Sequence, residues 1–175
     1  MKIAITGSDY GLGKNLSWIL SSEYQVLNLK ENIEKYVHKI SEIVDDCDIF
    51  INCEYNGTFQ TILFEQVYNS WKTEKKTIIN ILTSALIFDG PNKKYIEDKK
   101  DLEKKTFQLR DIEKEVRIIN VYPTTLESSK NAPYQKLKFS EVSKIIKWVI
   151  ETPQDIEIFQ LGISKTRLKI DTNLI

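Results

Sequence analysis

The chain is poor in the residues that many specialised proteins require. Its 175 residues include two cysteines, one histidine and six glycines, and 25 basic residues balance 25 acidic ones. Two cysteines are too few for a disulfide framework, so Cys47 and Cys53 are expected to be small core residues of a cytoplasmic protein. The single histidine, His38, argues against a histidine-based catalytic triad and against a multi-histidine metal site, and no metal is predicted.

Other absences bear on partners and location. A formal net charge of zero gives no support for binding to nucleic acid or to an anionic membrane. No apolar run is long enough to cross a bilayer, and the first residues, MKIAIT, lead directly into glycines without the pattern of a signal peptide. With 41% hydrophobic residues, the composition is that of one globular domain over residues 1–175.

Short runs of isoleucine and valine alternate with amphipathic segments along the chain. Continuous apolar strands separated by helices indicate a parallel sheet covered on both faces. The predicted fold class is therefore α/β, with a three-layer, doubly wound sheet, and Trp148 is expected in its core. Strands are predicted at 2–6, 24–29, 48–53, 77–83, 116–123 and 156–163, and helices at 14–22, 31–44, 59–72, 95–114 and 139–152.

The first strand runs into a glycine-rich turn, TGSDYGLGK, with glycines at positions 7, 11 and 13. Glycines let the backbone turn tightly and approach a pyrophosphate closely. The helix that follows offers unpaired N–H groups and the positive end of its dipole. The order strand, turn, helix favours a dinucleotide-binding turn; a tight turn without a ligand is the alternative.

This T-G-x-x-x-G-x-G turn resembles that of the short-chain dehydrogenase/reductase (SDR) family, in its single-domain branch. The resemblance implies a Rossmann fold and an NAD(P)(H) cofactor. Lys30, at the end of the second strand, favours NADP(H) over NAD(H) because its charge can pair with a 2′-phosphate. The cofactor-binding residues that the resemblance implies are Thr6, Gly7, Ser8, Tyr10, Gly11, Leu12, Gly13, Lys30, Asn52, Lys99, Pro123 and Thr125.

The family's catalytic Tyr-x-x-x-Lys motif fits four pairs here. With eight tyrosines and abundant lysine, chance matches are expected, so the neighbouring motifs must decide. Only Tyr95 follows a strand that ends in hydroxyls, IINILTS, and precedes the strand and proline-containing loop VRIINVYPTT. Beside the chosen Tyr95/Lys99, the other pairs are Tyr10/Lys14, Tyr68/Lys72 and Tyr134/Lys138.

Residues i and i+4 share a helix face, so Tyr95 and Lys99 can act together. The resemblance implies that Tyr95 is the acid/base. It also implies that Lys99 anchors the cofactor ribose, with an ammonium that lowers the pKa of the phenol. A solvated, charged helix with an interfacial tyrosine is the alternative. The hydroxyl that donates to the substrate carbonyl is Thr83 by register or its neighbour Ser84; a hydroxyl that caps backbone is the alternative.

The segment INCEYNGTF after the third strand resembles a damaged family motif. Asn52 is implied to steady the sheet beside the adenosine, but Glu54 and Tyr55 replace the usual small residues. Asn56 is implied to support a proton-relay water, and an ordinary Asn-Gly turn accounts for it equally well.

The chain is also shorter than the family usually is. One helix joins the second and third strands where the family has helix, strand and helix, and a further helix before Asn56 is missing. The expected sheet has about six strands in the order 2-1-3-4-5-6, without the usual edge strand. The segment 124–137 is expected to form a short substrate lid.

The leading hypothesis is an NAD(P)(H)-dependent oxidoreductase acting on a small carbonyl or alcohol. A non-catalytic dinucleotide-binding or scaffold protein on a trimmed SDR fold is the second. An epimerase or dehydratase of the extended branch is disfavoured by the glycine spacing. The resemblance also implies a homodimer or homotetramer that pairs through helices 59–72 and 95–114. The apolar contacts are expected from the following residues, for which core positions are the alternative: Phe64, Val67, Trp71, Phe107 and Leu109.

Overall fold

A computed structural model describes residues 1–30, 33–88, 92–109, 112, 114–129 and 135–165. The strands are β1 (Lys2–Thr6), β2 (Gln25–Leu29), β3 (Ile49–Asn52), β4 (Thr77–Ile81), β5 (Arg117–Pro123) and β6 (Gln160–Ile163). The helices are α1 (Gly11–Leu20), α2 (Ile40–Ile43), α3 (Phe59–Trp71), α4 (Ala85–Phe88), α5 (Lys93–Gln108) and α6 (Phe139–Glu151), with a 3₁₀ turn at Ile33–Lys35.

All six strands form one parallel sheet in the order β2-β1-β3-β4-β5-β6. This confirms the predicted α/β class and strand order. Helices cover both faces, as the unbroken apolar strands require. From β1 the chain proceeds first to β2 on one side and then to β3 on the other. The direction of strand order therefore reverses between β1 and β3, which is where doubly wound sheets bind ligands.

The alternation of side chains along each strand divides the core into two layers. Ile3, Ile5 and Ile51 face α1 and α6 on one side of the sheet. Ala4 and Phe50 face α2, α3 and α5 on the other. Among the described residues, no helix is long and apolar enough to cross a membrane. The single domain over residues 1–175 and the cytoplasmic location stay predictions.

Three details of the sequence prediction are wrong. Within the described residues, the helix expected over 31–44 is replaced by the 3₁₀ turn and the four-residue α2. The residues that follow each of these elements, Val37 and Val44, are still buried. Strand β6 starts at Gln160 and not at residue 156, because the segment before Gln160 is exposed. Arg117 of β5 donates a hydrogen bond to the Ile156 carbonyl in that segment. Trp148 is 57% exposed, because the buried side chains of α6 form a stripe on the opposite face.

Candidate functional site

The glycine turn after β1 has the backbone geometry that its sequence predicts. Gly7 and Gly11 adopt φ values of +65° and +52°, which side chains rarely tolerate. Gly13 serves a different purpose, since a Cβ there would lie 2.2 Å from the carbonyl oxygen of Gly7. The third glycine therefore lets α1 begin directly against the turn. Thr6 fixes the turn to β3, because its hydroxyl oxygen accepts hydrogen bonds from the backbone N–H groups of Cys53 and Glu54.

Polar groups at this turn have no partner within the described protein. Ser8 is 5% exposed, and its hydroxyl makes no hydrogen bond. One carboxylate oxygen of Asp9 and the amide oxygen of Asn15 are also buried and unpaired among the described residues. The side chain of Tyr10, which precedes α1, makes no hydrogen bond to the first turn of that helix. Buried hydroxyls and N–H groups without partners are suited to phosphate oxygens, so the backbone and Ser8 fit the diphosphate of a dinucleotide.

Tyr95 lies in the first turn of α5, beside the carboxyl end of β4. Asn92 begins this helix, because its side-chain oxygen accepts a hydrogen bond from the Tyr95 backbone N–H at 3.1 Å. Burial raises the pKa of the Tyr95 phenol, and the nearby Thr83 side chain opposes that rise. Ser84 does not contribute to this shift, and its backbone N–H donates to the Pro123 carbonyl. The structure thus brings Thr83 and Tyr95 together.

Lys99 lies one turn further along α5 and is 2% exposed. Its ammonium donates hydrogen bonds of 2.6 Å to the Gln60 side-chain oxygen and of 2.6 Å to the Ile81 carbonyl. Neither acceptor carries a full charge, and burial lowers the pKa of Lys99 to about 7. Burial raises the pKa of Tyr95, and Lys99 is not among the groups that shift it, so the lowering of that pKa by the ammonium stays a prediction.

Tyr55 covers this pair of side chains. Its ring packs edge-on against Tyr95 with centroids 4.7 Å apart, and its hydroxyl donates to Asp98 at 2.8 Å. The Lys99 nitrogen lies 5.6 Å from the centroids of both tyrosine rings. Tyr55 is 37% exposed, whereas Lys99 is almost fully buried.

Gln60 of α3, which no sequence motif marks, accepts a hydrogen bond from Lys99. Its amide nitrogen donates to the carbonyl oxygens of Asn52 and Ile81, and its amide oxygen accepts from Lys99. Asn56 lies in the turn before α3, where its carbonyl accepts from the Phe59 backbone N–H. No described contact joins the Asn56 side chain to Lys99.

A row of buried amides connects Asn52 to the rest of the sheet. Asn52, Asn80 and Asn120 occupy matching positions on β3, β4 and β5. Each donates its amide to the next, and Asn120 donates to Thr106 of α5. Asn52 thus steadies the sheet, in keeping with the role that the resemblance implies.

The remaining expected cofactor residues lie around the same edge of the sheet. Leu12 is a core side chain and can offer only backbone to a ligand. Lys30 follows β2 and is exposed, and its carbonyl accepts from Tyr36. Pro123 ends β5, and the Thr125 carbonyl accepts from Leu137 within the expected lid. Lid residues 130–134, including Tyr134, lie outside the described residues.

Most of the apolar residues expected at a subunit contact belong to the core of this chain. Phe64, Val67 and Trp71 are fully buried against the sheet, so they cannot supply that contact. Phe107 is 36% exposed and remains available. The homodimer or homotetramer stays a prediction. Among the described residues, no group of histidine, cysteine and carboxylate side chains could hold a metal ion.

Comparison with known proteins identifies the fold but no sequence relative. No protein-family profile matches this chain, and no curated protein sequence matches it. An alcohol dehydrogenase from the archaeon Thermococcus sibiricus, complexed with 5-hydroxy-NADP, superimposes with a TM-score of 0.75 at 12% identity, over 95% of this chain and 99% of that one.

Two further solved structures give the same result. A short-chain dehydrogenase from Burkholderia cenocepacia in complex with NADP has a TM-score of 0.74 at 16% identity, over 94% of this chain and 88% of that one. Serine dehydrogenase from Escherichia coli has a TM-score of 0.70 at 16% identity, over 93% and 97%. The chain therefore has the fold of short-chain dehydrogenases, and the resemblance to them is confirmed at the level of the fold.

Proposed function

We propose that this protein is an NAD(P)(H)-dependent oxidoreductase of the SDR type that acts on a carbonyl or alcohol. The observation that carries the proposal is the meeting of Tyr95, Thr83 and Lys99 beside a glycine turn with unpaired polar groups. The dehydrogenase fold supports it as well. Fold alone does not fix function, so the argument depends on these side chains.

The residues have distinct roles in this proposal. The turn at 7–13 and Ser8 would hold the diphosphate, Lys30 a 2′-phosphate, and Lys99 the ribose hydroxyls. A bound nicotinamide dinucleotide supplies or accepts the hydride. Thr83 donates a hydrogen bond to the substrate oxygen, and Tyr95 donates the proton to it or accepts it in the reverse direction. NADP(H) is proposed over NAD(H) on the charge of Lys30.

The protonation state of Tyr95 favours one direction of reaction. Because burial raises the pKa of its phenol, Tyr95 carries its proton at neutral pH. A protonated phenol is ready to act as an acid, so carbonyl reduction is the favoured direction near pH 7. Oxidation of an alcohol requires the phenolate, and its rate is expected to rise with pH.

The test has two stages. The purified protein is titrated with NADPH and with NADH, followed by fluorescence, and the binding nucleotide is then used in turnover of a panel of small carbonyls. Tyr95→Phe should keep nucleotide binding and lose turnover by about 10²- to 10⁴-fold, the usual contribution of a general acid. Tyr68→Phe, taken from another Tyr-x-x-x-Lys pair, should keep both. Binding of neither nucleotide, or turnover that survives Tyr95→Phe, would overturn the proposal.

A non-catalytic dinucleotide-binding protein is the second candidate. The observation that favours it is the Tyr55 ring over Tyr95 and Lys99, which covers the proposed catalytic groups. Under this alternative, nucleotide binds with no turnover on any carbonyl. Replacing Tyr55 by glycine distinguishes the two, because an enzyme whose cover is removed should gain turnover and a binding protein should not.

A further inference from the structure

Glu54 introduces a carboxylate where the glycine turn meets β3. Its backbone N–H donates to Thr6, and its Cβ lies 3.1 Å from the place that a Cβ on Gly7 would occupy. The residue is 8% exposed. The side chain is therefore packed against the same turn whose Ser8 hydroxyl and Asp9 carboxylate have buried atoms without partners among the described residues.

The groups around Glu54 do not neutralise it. Asp9 and Tyr10 of the turn and Cys53 of its own segment are the ionisable neighbours, and Lys99 of α5 acts on Cys53 from the other side. Within the described protein, no side chain donates a hydrogen bond or forms an ion pair with this carboxylate. Burial and the negative charge of Asp9 both raise the pKa of Glu54.

We propose that Glu54 takes up a proton from solvent when a nucleotide diphosphate occupies the glycine turn. Binding of the negatively charged ligand is thereby coupled to pH. The inference rests on the proposed nucleotide site but not on catalysis. An ionised Glu54 beside Asp9 repels the phosphate charges. A protonated Glu54 removes that repulsion and presents an O–H group that can donate to a phosphate oxygen.

The sign of the pH effect follows from this linkage. The negative ligand raises the pKa of Glu54 further, so the complex holds one more proton than the free protein between the two pKa values. Within that window the dissociation constant rises by up to about tenfold per pH unit as pH increases. Outside the window the affinity is independent of pH.

ADP-ribose is the probe that isolates this effect. It carries the diphosphate but no nicotinamide, and its diphosphate has no titrating proton near neutral pH. Calorimetric titration from pH 5.5 to 8.5 should give a dissociation constant that increases with pH. Repeating one titration in two buffers with different ionisation enthalpies should reveal proton uptake approaching one, without any substitution.

Glu54→Gln keeps the shape of the side chain and removes its charge. We expect this variant to bind ADP-ribose with nearly constant affinity across the range, and several-fold more tightly than wild type at pH 8. Glu157→Gln, at an exposed position away from the turn, should behave as wild type.

The remaining outcomes separate the two proposals. Wild-type binding without proton uptake, or uptake that persists in Glu54→Gln, would overturn the role of Glu54 and leave the nucleotide site standing. Affinity that rises with added Mg²⁺ in place of protons would also overturn it, because the carboxylates would then hold a cation. No binding of ADP-ribose at any pH would remove the nucleotide site itself.

Discussion

Replacing Lys99 by methionine should stabilise the protein at neutral pH and destabilise it at high pH. Burial lowers the pKa of Lys99 from 10.5 to about 7 in the folded chain. The unfolded chain therefore binds this proton more tightly than the folded chain does. The free energy that charged Lys99 costs folding is fully present below its folded-state pKa. It disappears as the pH rises towards the pKa of Lys99 in the unfolded chain.

The magnitude follows from the two pKa values. Linkage gives a loss of folding free energy of about 4 kcal/mol at pH 7 and about 1 kcal/mol at pH 9.5. Methionine removes that penalty but leaves the Gln60 side-chain oxygen without its donor, a loss of about 1–3 kcal/mol. Lys99→Met should therefore be about 2 kcal/mol more stable than wild type at pH 7 and less stable at pH 9.5.

Urea denaturation of both proteins at the two pH values measures this change of sign. Comparing variant with wild type at each pH cancels the titration of all other groups. Lys100→Met, at the exposed neighbouring position of α5, controls for a general effect of losing a lysine. A stability difference for Lys99→Met that stays constant between pH 7 and 9.5 would refute a buried, desolvated Lys99.

Two further substitutions test the scaffold. Gly13→Ala forces a Cβ to 2.2 Å from a backbone oxygen. We therefore expect the free energy of unfolding to fall by about 2 kcal/mol and ADP-ribose binding to weaken. Gly162→Ala, with open space around it, should change neither stability nor binding. A Gly13→Ala protein that melts and binds like wild type would contradict the close packing. Arg117 donates to carbonyls at the end of α6, including those of Thr152 and Pro153. Arg117→Met should cost about 2 kcal/mol and so lower the melting temperature by about 4–8 °C in calorimetry, and an unchanged value would show that these bonds contribute little.

The strands of the sheet were predictable because parallel strands that are buried on both faces are rich in isoleucine and valine. Runs such as TIINI consist largely of isoleucine, and the glycine turn has one strand before it and one helix after it. The core position expected for Trp148 is wrong, although the pattern of α6 itself argues against it. The apolar positions Val142, Ile146 and Val149 define a helical stripe that excludes residue 148.

The contacts of the site were less predictable. Gln60 is one of several polar residues in a helical sequence. Its hydrogen bond from Lys99 depends on the packing of α5 against α3, which the sequence does not show. Tyr55 is a bulky replacement in the sequence motif, but its packing on Tyr95 depends on segments forty residues apart along the chain. The direction of the Lys99 pKa shift required knowledge of burial, which spacing along a helix does not supply.

The row of amides formed by Asn52, Asn80 and Asn120 also determines how the central strands align. A slip of one residue in β4 would turn Asn80 towards the apolar layer under α1 and α6, and would replace it in the row with an isoleucine. The two hydrogen bonds between the amides would be lost, and Asn52 and Asn120 would keep only their bonds to Gln60 and Thr106. The strands are rich in isoleucine and valine, which pack almost equally well in several alignments, so these three amides distinguish the native pairing from its neighbours during folding.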